Sequence, residues 1–247
     1  MSALLNVSGL SGGYNIHKPV LHDISLQVQE AEIVGLIGLN GAGKSTTIKH
    51  ILGLMEASKG EIQIKGKAFT EEPEAYRQSL SFIPETPILY EDMTLWEHLR
   101  LAAMAYDIEE TTFEQRADEL LKQFRMNGMK KWFPSHFSKG MRQKVMIMCA
   151  FLVRPELYVV DEPFVGLDPV AIQSLLDMML DMKEKGAGIL MSTHILSTAE
   201  KYCDRFVLLH NGQVHMHGTM SELQRDANMP QATLDDIYIA VTKDEIG

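Results

Sequence analysis

The sequence predicts an α/β fold: a largely parallel sheet interrupted by a helical insertion. Three observations carry that expectation. Short apolar strands alternate with helical stretches near both ends of the chain. Between them, residues 94–152 are helical in pattern, broken at Asp107 and around 127–137. A glycine-rich turn over 38–43 joins an apolar strand to a helix, as strand–turn–helix units do.

Taken in order, strands are expected at 4–7, 24–28 and 32–37, then a helix over 44–54, then strands at 61–64 and 79–83. After the insertion come a strand at 157–160, a helix over 170–185, a strand at 188–191 and a helix over 195–202. Two strands follow, at 205–209 and 213–217, and the segment from 219 reads as short helices. No repeat or low-complexity linker divides the chain. The expectation is one domain with three parts. Residues 1–84 and 154–218 form the α/β core, 85–153 the helical subdomain and 219–247 a C-terminal tail.

Composition narrows the function classes. Apolar residues at 45% and charged residues at 23% suit an ordinary globular protein of 247 residues. A formal charge of −10 argues against nucleic acid as the partner, because phosphate contacts need clustered Lys and Arg. Cys149 and Cys203 have no metal-ligand spacing and read as reduced and buried. No apolar run approaches the ~18 residues of a spanning helix, and the opening residues lack the basic-then-apolar pattern of a signal peptide. The chain is therefore expected in the cytosol, with any membrane role supplied by a partner.

The sharpest motif is Gly38-Leu39-Asn40-Gly41-Ala42-Gly43-Lys44-Ser45, a full match to G-x-x-x-x-G-K-[ST]. Gly38, Gly41 and Gly43 let the backbone curl so that successive N–H groups face a phosphate. The start of the helix, with Thr46 in its first turn, adds the positive end of its dipole. Lys44 is expected on the β- and γ-phosphates, and the Ser45 hydroxyl on Mg²⁺. Downstream, an apolar strand over 157–160 ends in Asp161 and Glu162. Asp161 suits Mg²⁺, through water, and Glu162 suits the group that orients or deprotonates the attacking water.

Between these elements, Phe137-Ser138-Lys139-Gly140-Met141 stands directly before a helix and resembles the LSGGQ signature of ABC ATPases. Val165-Gly166-Leu167-Asp168 resembles their D-loop, and Ser192-Thr193-His194 their switch histidine. Tyr14 resembles the aromatic that stacks on adenine. The resemblance runs from about residue 4 to 218, with the motifs in family order. The stretches 83–90 and 132–140 resemble the bacterial Ecs-type branch in particular.

The resemblance implies the ABC ATPase fold. This is a RecA-like P-loop core with an N-terminal antiparallel β part and an inserted helical subdomain. It also implies two copies facing head to tail around two ATP molecules, with Mg²⁺. Each site would join Lys44 of one copy to Ser138, Lys139, Gly140 and Met141 of the other, with Asp168 nearby and His194 on the γ-phosphate. A polytopic membrane subunit, EcsB-like by the same resemblance, would receive the motion through residues 94–106 and the loop after 83. Export and a location on the inner face of the membrane are implied with it. Asp168 before Pro169 reads equally as a helix cap, and Leu95, Trp96 and Leu99 read equally as core packing. The methionines read as core filler. Work on the ribosome or DNA, or phosphate transfer to a small acceptor, would leave the signature or the acidic balance unexplained.

Three positions depart from the family pattern. Glu85 stands where a glutamine is usual, placing a carboxylate near a triphosphate as a candidate Mg²⁺ ligand. Lys139 and Met141 replace Gly and Gln in the signature, and Val165 replaces a serine in the D-loop.

Overall fold

The computed structural model describes residues 3–15 and 18–243. Its elements run β1 (Leu5–Gly12), β2 (Leu21–Val28), β3 (Ile33–Ile37), α1 (Lys44–Ile51), β4 (Lys59–Ile64), β5 (Lys67–Ala68), α2 (Pro73–Gln78) and β6 (Leu80–Ile83). Then follow α3 (Leu95–Ala105), α4 (Glu110–Gln123), two single 3₁₀ turns, α5 (Lys139–Val153), β7 (Leu157–Asp161), α6 (Pro169–Glu184) and β8 (Gly188–Thr193). The chain closes with α7 (Leu196–Tyr202), β9 (Arg205–His210), β10 (Gln213–Gly218), α8 (Met220–Asp226) and α9 (Leu234–Lys243).

One sheet has the order β10-β9-β3-β8-β7-β6, parallel throughout except for the β9–β10 pair. A second, antiparallel sheet has the order β2-β1-β4-β5. β3, β7 and β8 are buried along their whole length, because both faces of the parallel sheet are covered. Side chains of β7 alternate accordingly. Leu157 and Val159 enter the core shared with the antiparallel sheet and α1, whereas Tyr158 and Val160 face the helical side.

The four parallel neighbours β3, β8, β7 and β6 thus end side by side. Loops leaving those carboxyl ends carry the phosphate motif, His194, Asp161–Glu162 and Glu85. Such an edge is where open α/β sheets bind ligands.

The helical insertion packs on the other side of β7. Phe113, Ala117 and Leu121 of α4 meet Val145, Met148 and Phe151 of α5 in one core with Tyr158. Asp107 and Arg125 adopt left-handed backbone (φ 52 and 57) just after α3 and α4, which ends each helix near its expected break. Leu95 and Leu99 are fully buried and the partly buried Trp96 packs against the same core, so all three serve packing here. The same insertion also carries exposed apolar side chains: Ile88, Tyr90, Leu101, Met104, Trp132 and Phe133. Met148, Met178, Met179, Met182 and Met191 fill the core, as expected.

Several boundaries moved for identifiable reasons. β1 continues to Gly12 because a register shift after Val7, with Gly9 at φ 62, lets pairing resume beyond a bulge. α1 stops at Ile51, where Gly53 turns left-handed against the Phe69 ring. The tail forms α8 and α9, docked on Ile37, Phe206 and Leu208; its residues 244–247, and residues 1–2 of the opening segment, lie outside the described residues. Cys149 and Cys203 are free thiols, each pushed up to about 12 by burial. No described helix is long and apolar enough to cross a membrane.

Candidate active site

The phosphate loop leaves β3 at Gly38 and enters α1 at Lys44. Gly41 and Gly43 take φ values of 85 and 109, open to glycine at little cost. A side chain at Gly38 would collide with the Leu209 carbonyl, 2.5 Å from its Cβ position. Gly43 begins α1 without any side-chain cap, so the N–H groups of the first turn are left for a ligand. The loop is braced from within, Ala42 N–H donating to Leu39 O (3.1 Å) and Gly212 N–H to Ala42 O (3.0 Å).

Lys44 is 6% exposed. Its ammonium donates to Gly38 O at 2.7 Å and Leu39 O at 3.3 Å, and lies 3.2 Å from Glu162 Oε1. A buried ammonium needs such a counter-charge. Glu162 Oε1 is buried and meets the Lys44 ammonium as an ion pair without a well-aligned hydrogen bond. The other oxygen, Oε2, takes His194 Nδ1 at 2.8 Å and His194 N–H at 3.3 Å.

Glu162 holds a left-handed backbone, φ 44, which costs a non-glycine residue free energy and is fixed by its surroundings. Its N–H is held by Ser192, through Oγ at 3.1 Å and O at 3.2 Å. Parallel register sets this up, because Asp161 pairs with Ser192 across β7 and β8. The Ser192 hydroxyl donates to Asp161 Oδ1 and so orients that buried carboxylate too. Sequence reading gave Ser192 no role; only strand adjacency shows it.

A cavity of about 490 Å³ is lined by Tyr14, Leu39, Asn40, Gly41, Gly43, Lys44, Ser45, Thr46, Glu85, Glu162 and His194, and also by Val20, which the sequence did not single out. Tyr14 stands on the rim, 71% exposed. Lys49 Nζ donates to its hydroxyl at 2.9 Å, and this bond lowers the phenol pKa. The Lys49–Tyr14 pair was not anticipated either. Asp161 and Ala42 sit just behind the cavity wall, both buried.

The signature lies elsewhere. Ser138 caps α5 by accepting the Met141 N–H (3.3 Å). Gly140 packs against Gly166 of the D-loop: a Cβ there would stand 2.4 Å from Gly166 O. Lys139 lays its aliphatic stem over Gly166, and Met141 leans on the helical core. Asp168 caps α6 through the Ala171 N–H (2.9 Å) and pairs with Lys144 of α5 (2.9 Å). The Lys144 hydrogen bond, with the cap, holds its carboxyl below the usual range. None of Ser138, Lys139, Gly140, Met141 and Asp168 lines the cavity that holds Lys44.

Comparison with known proteins agrees with this geometry. Residues 21–165 match the family model described as ABC transporter. The chain is 58% identical over 245 residues to the ABC-type transporter ATP-binding protein EcsA of Bacillus subtilis (strain 168), covering 99% of each. It is 46% identical over 247 residues to YthP of the same organism, an uncharacterized ABC transporter ATP-binding protein, covering 100% of each. A solved structure described as the ATP-binding subunit of an ABC transporter shares 56% identity at a TM-score of 0.94, over 97% of this chain and 99% of that one. On fold and sequence together, the chain belongs to the ABC transporter family, as an ATP-binding subunit and an ATPase.

Proposed function

We propose that this subunit hydrolyses ATP at the cavity beside Lys44, in a head-to-tail dimer, to drive a polytopic membrane partner. The observation that carries the reading is Glu162. It is a buried carboxylate in the cavity lining, with one oxygen held by His194 and the other ion-paired to the phosphate-loop lysine.

In this reading the amides of 41–46 and Lys44 grip the triphosphate, and Tyr14 lies under adenine. Glu162 Oε1 takes a proton from the attacking water while His194 fixes Oε2 and faces the γ-phosphate. Lys44 stabilises charge developing on the transferring phosphoryl oxygens. Ser45, Asp161 and Glu85 would hold Mg²⁺, which neutralises phosphate charge when bound. The donor set fits that ion. Ser45 and Glu85 offer hard oxygen donors in the cavity lining, Asp161 adds a buried carboxylate, and Mg²⁺ characteristically completes its shell with phosphate oxygens and water.

Ser138, Lys139, Gly140 and Met141 would close the site of a second copy, with Asp168 beside that seam. Residues 1–84 and 154–218 act as the nucleotide-binding core, 85–153 as the helical subdomain and 219–247 as the tail. The membrane partner, EcsB-like if the kinship with EcsA extends to it, would sit on the apolar face made by Ile88, Tyr90, Trp132 and Phe133. That segment is tied to α3 by backbone bonds from Leu95 N–H to Trp132 O and Trp96 N–H to Lys130 O. The subunit would then lie on the cytoplasmic face of the membrane, and the transport direction we favour is export.

Glu162→Gln tests the reading. It keeps the shape and the His194 contact but removes the base. Turnover is expected to fall by about 10²–10⁴ while ATP still binds, and the variant should accumulate as an ATP-bound dimer on size exclusion. Undiminished turnover would remove Glu162 as the base.

A further inference from the structure

The C-terminal helix reaches the phosphate loop. Tyr238, in the middle of α9, is 4% exposed, and its hydroxyl accepts the N–H of Leu39 at 2.9 Å. Leu39 is the second residue of the phosphate motif. Its own carbonyl accepts from Lys44 Nζ (3.3 Å) and from Ala42 N–H (3.1 Å). The peptide unit joining Gly38 to Leu39 is therefore held by the tail through its N–H, while its carbonyl, Gly38 O, accepts from the Lys44 ammonium at 2.7 Å.

The helix that presents Tyr238 is itself firmly placed. Leu234, Ile237 and Tyr238 pack with Ile37, the last residue of β3, and with Phe206 and Leu208 of β9. Leu234 N–H donates to Glu200 of α7 at 3.0 Å, and α7 begins just after His194. Thr233 and Asp236 cap the first turn reciprocally, Thr233 N–H to Asp236 Oδ2 at 3.0 Å and Asp236 N–H to Thr233 Oγ1 at 3.2 Å. Thr242 closes the far end onto Tyr238 O at 2.8 Å.

We propose that Tyr238 is a positioning residue for ATP binding: its buried hydroxyl fixes the Gly38–Leu39 peptide and, through the Gly38 carbonyl, the resting place of the Lys44 ammonium. A phenol suits the task. It offers an acceptor at the tip of a rigid apolar body, so α9 can pack as core and still satisfy a loop amide that points away from the cavity. This inference rests on the ATP-binding reading of the cavity. It goes further by making the tail, which lies outside every nucleotide motif, part of the phosphate site.

Tyr238→Phe in the full chain keeps the ring and deletes the acceptor. Hydrogen exchange of the peptide containing Leu39, measured without nucleotide, is expected to speed up about tenfold in the variant. ATP affinity, read with a fluorescent ATP analogue, should weaken about two- to tenfold, as the loss of one hydrogen bond predicts. KM for ATP should rise while turnover at saturation is retained. Ile237→Ala serves as the control for packing alone: it should lower the urea midpoint yet leave affinity in the folded protein within about twofold. Equal exchange at Leu39 in the parent and Tyr238→Phe, or equal ATP affinity, would overturn the proposal. A parent chain that failed to bind the analogue would instead sink the ATP reading itself, with the exchange comparison still deciding whether Tyr238 holds the loop.

Discussion

Glu162 combines three requirements in one side chain. Its backbone is left-handed and pinned by Ser192, one oxygen is engaged by His194, and the other faces Lys44. Glu85 lines the same cavity but is exposed and belongs to a loop instead of a strand end. That difference sets what a carboxylate there can do. At 5 Å and an effective dielectric of 20, one like-charge pair between Glu85 and a phosphate would cost about 3 kcal/mol, and solvent at an exposed side chain reduces this to about 1–2 kcal/mol. Glu85→Gln is therefore expected to tighten nucleotide binding about tenfold in the absence of Mg²⁺ and much less in its presence. Titration of both proteins in chelator and in Mg²⁺ checks this, and matched affinities in chelator would dispose of the electrostatic argument. At this scale the residues of contiguous motifs were legible, because phosphate chemistry dictates Gly, Lys and Ser at fixed spacing. Ser192, Val20, Lys49 and Tyr238 were not, because each meets its partners across strands, across a loop or from the far end of the chain, where motif spacing carries no signal.

Among the elements, α5 does the most connecting. Its first turn stacks Gly140 on the Gly166 carbonyl, its Gln143 side chain, fully buried, donates to Pro84 O at 2.9 Å, and its Lys144 pairs with Asp168. With Lys139 lying over Gly166, one helix thus touches the D-loop through three residues and the residue before Glu85 through one. Within a single chain Gly140 has a steric duty, separate from any approach to a neighbour's phosphate. Gly140→Ala must displace Gly166 or tilt α5, and overpacking of this kind costs about 1–3 kcal/mol. A lower urea midpoint is expected for the isolated chain, even without nucleotide; an unshifted midpoint would show that the D-loop yields freely. The elements themselves were mostly legible. β3, β7 and β8 are unbroken apolar runs because both their faces are covered, and α6 begins at the Asp168–Pro169 cap the sequence displays. β5 and α2 were missed, since two residues and a turn and a half of helix leave no period to detect. The continuation of β1 past Gly9 escaped for another reason, a bulge that breaks alternation.

At the scale of the whole molecule, the decisive fact is a separation. The edge formed by β3, β8, β7 and β6 gathers the phosphate loop, Glu85, Glu162 and His194 around one cavity, and the signature residues at the start of α5 line no part of it. Ser138 is exposed and Gly140 half-buried, so the start of α5 remains accessible to another molecule. If hydrolysis needs a serine and a helix start opposite Lys44, a second chain must bring them, and turnover becomes a bimolecular property. Each chain carries a formal charge of −10, so two copies repel at long range and nucleotide must supply part of the attraction. Turnover per protomer is therefore expected to fall as the isolated subunit is diluted at fixed saturating ATP, in proportion to concentration once dimers are scarce. Added salt, by screening the repulsion, should move that fall to lower protein concentration. The measurement is phosphate release against protein concentration from micromolar to nanomolar at two ionic strengths. A flat profile, with each protomer as active alone as in company, would mean that one chain completes its own site and that the signature serves only the fold.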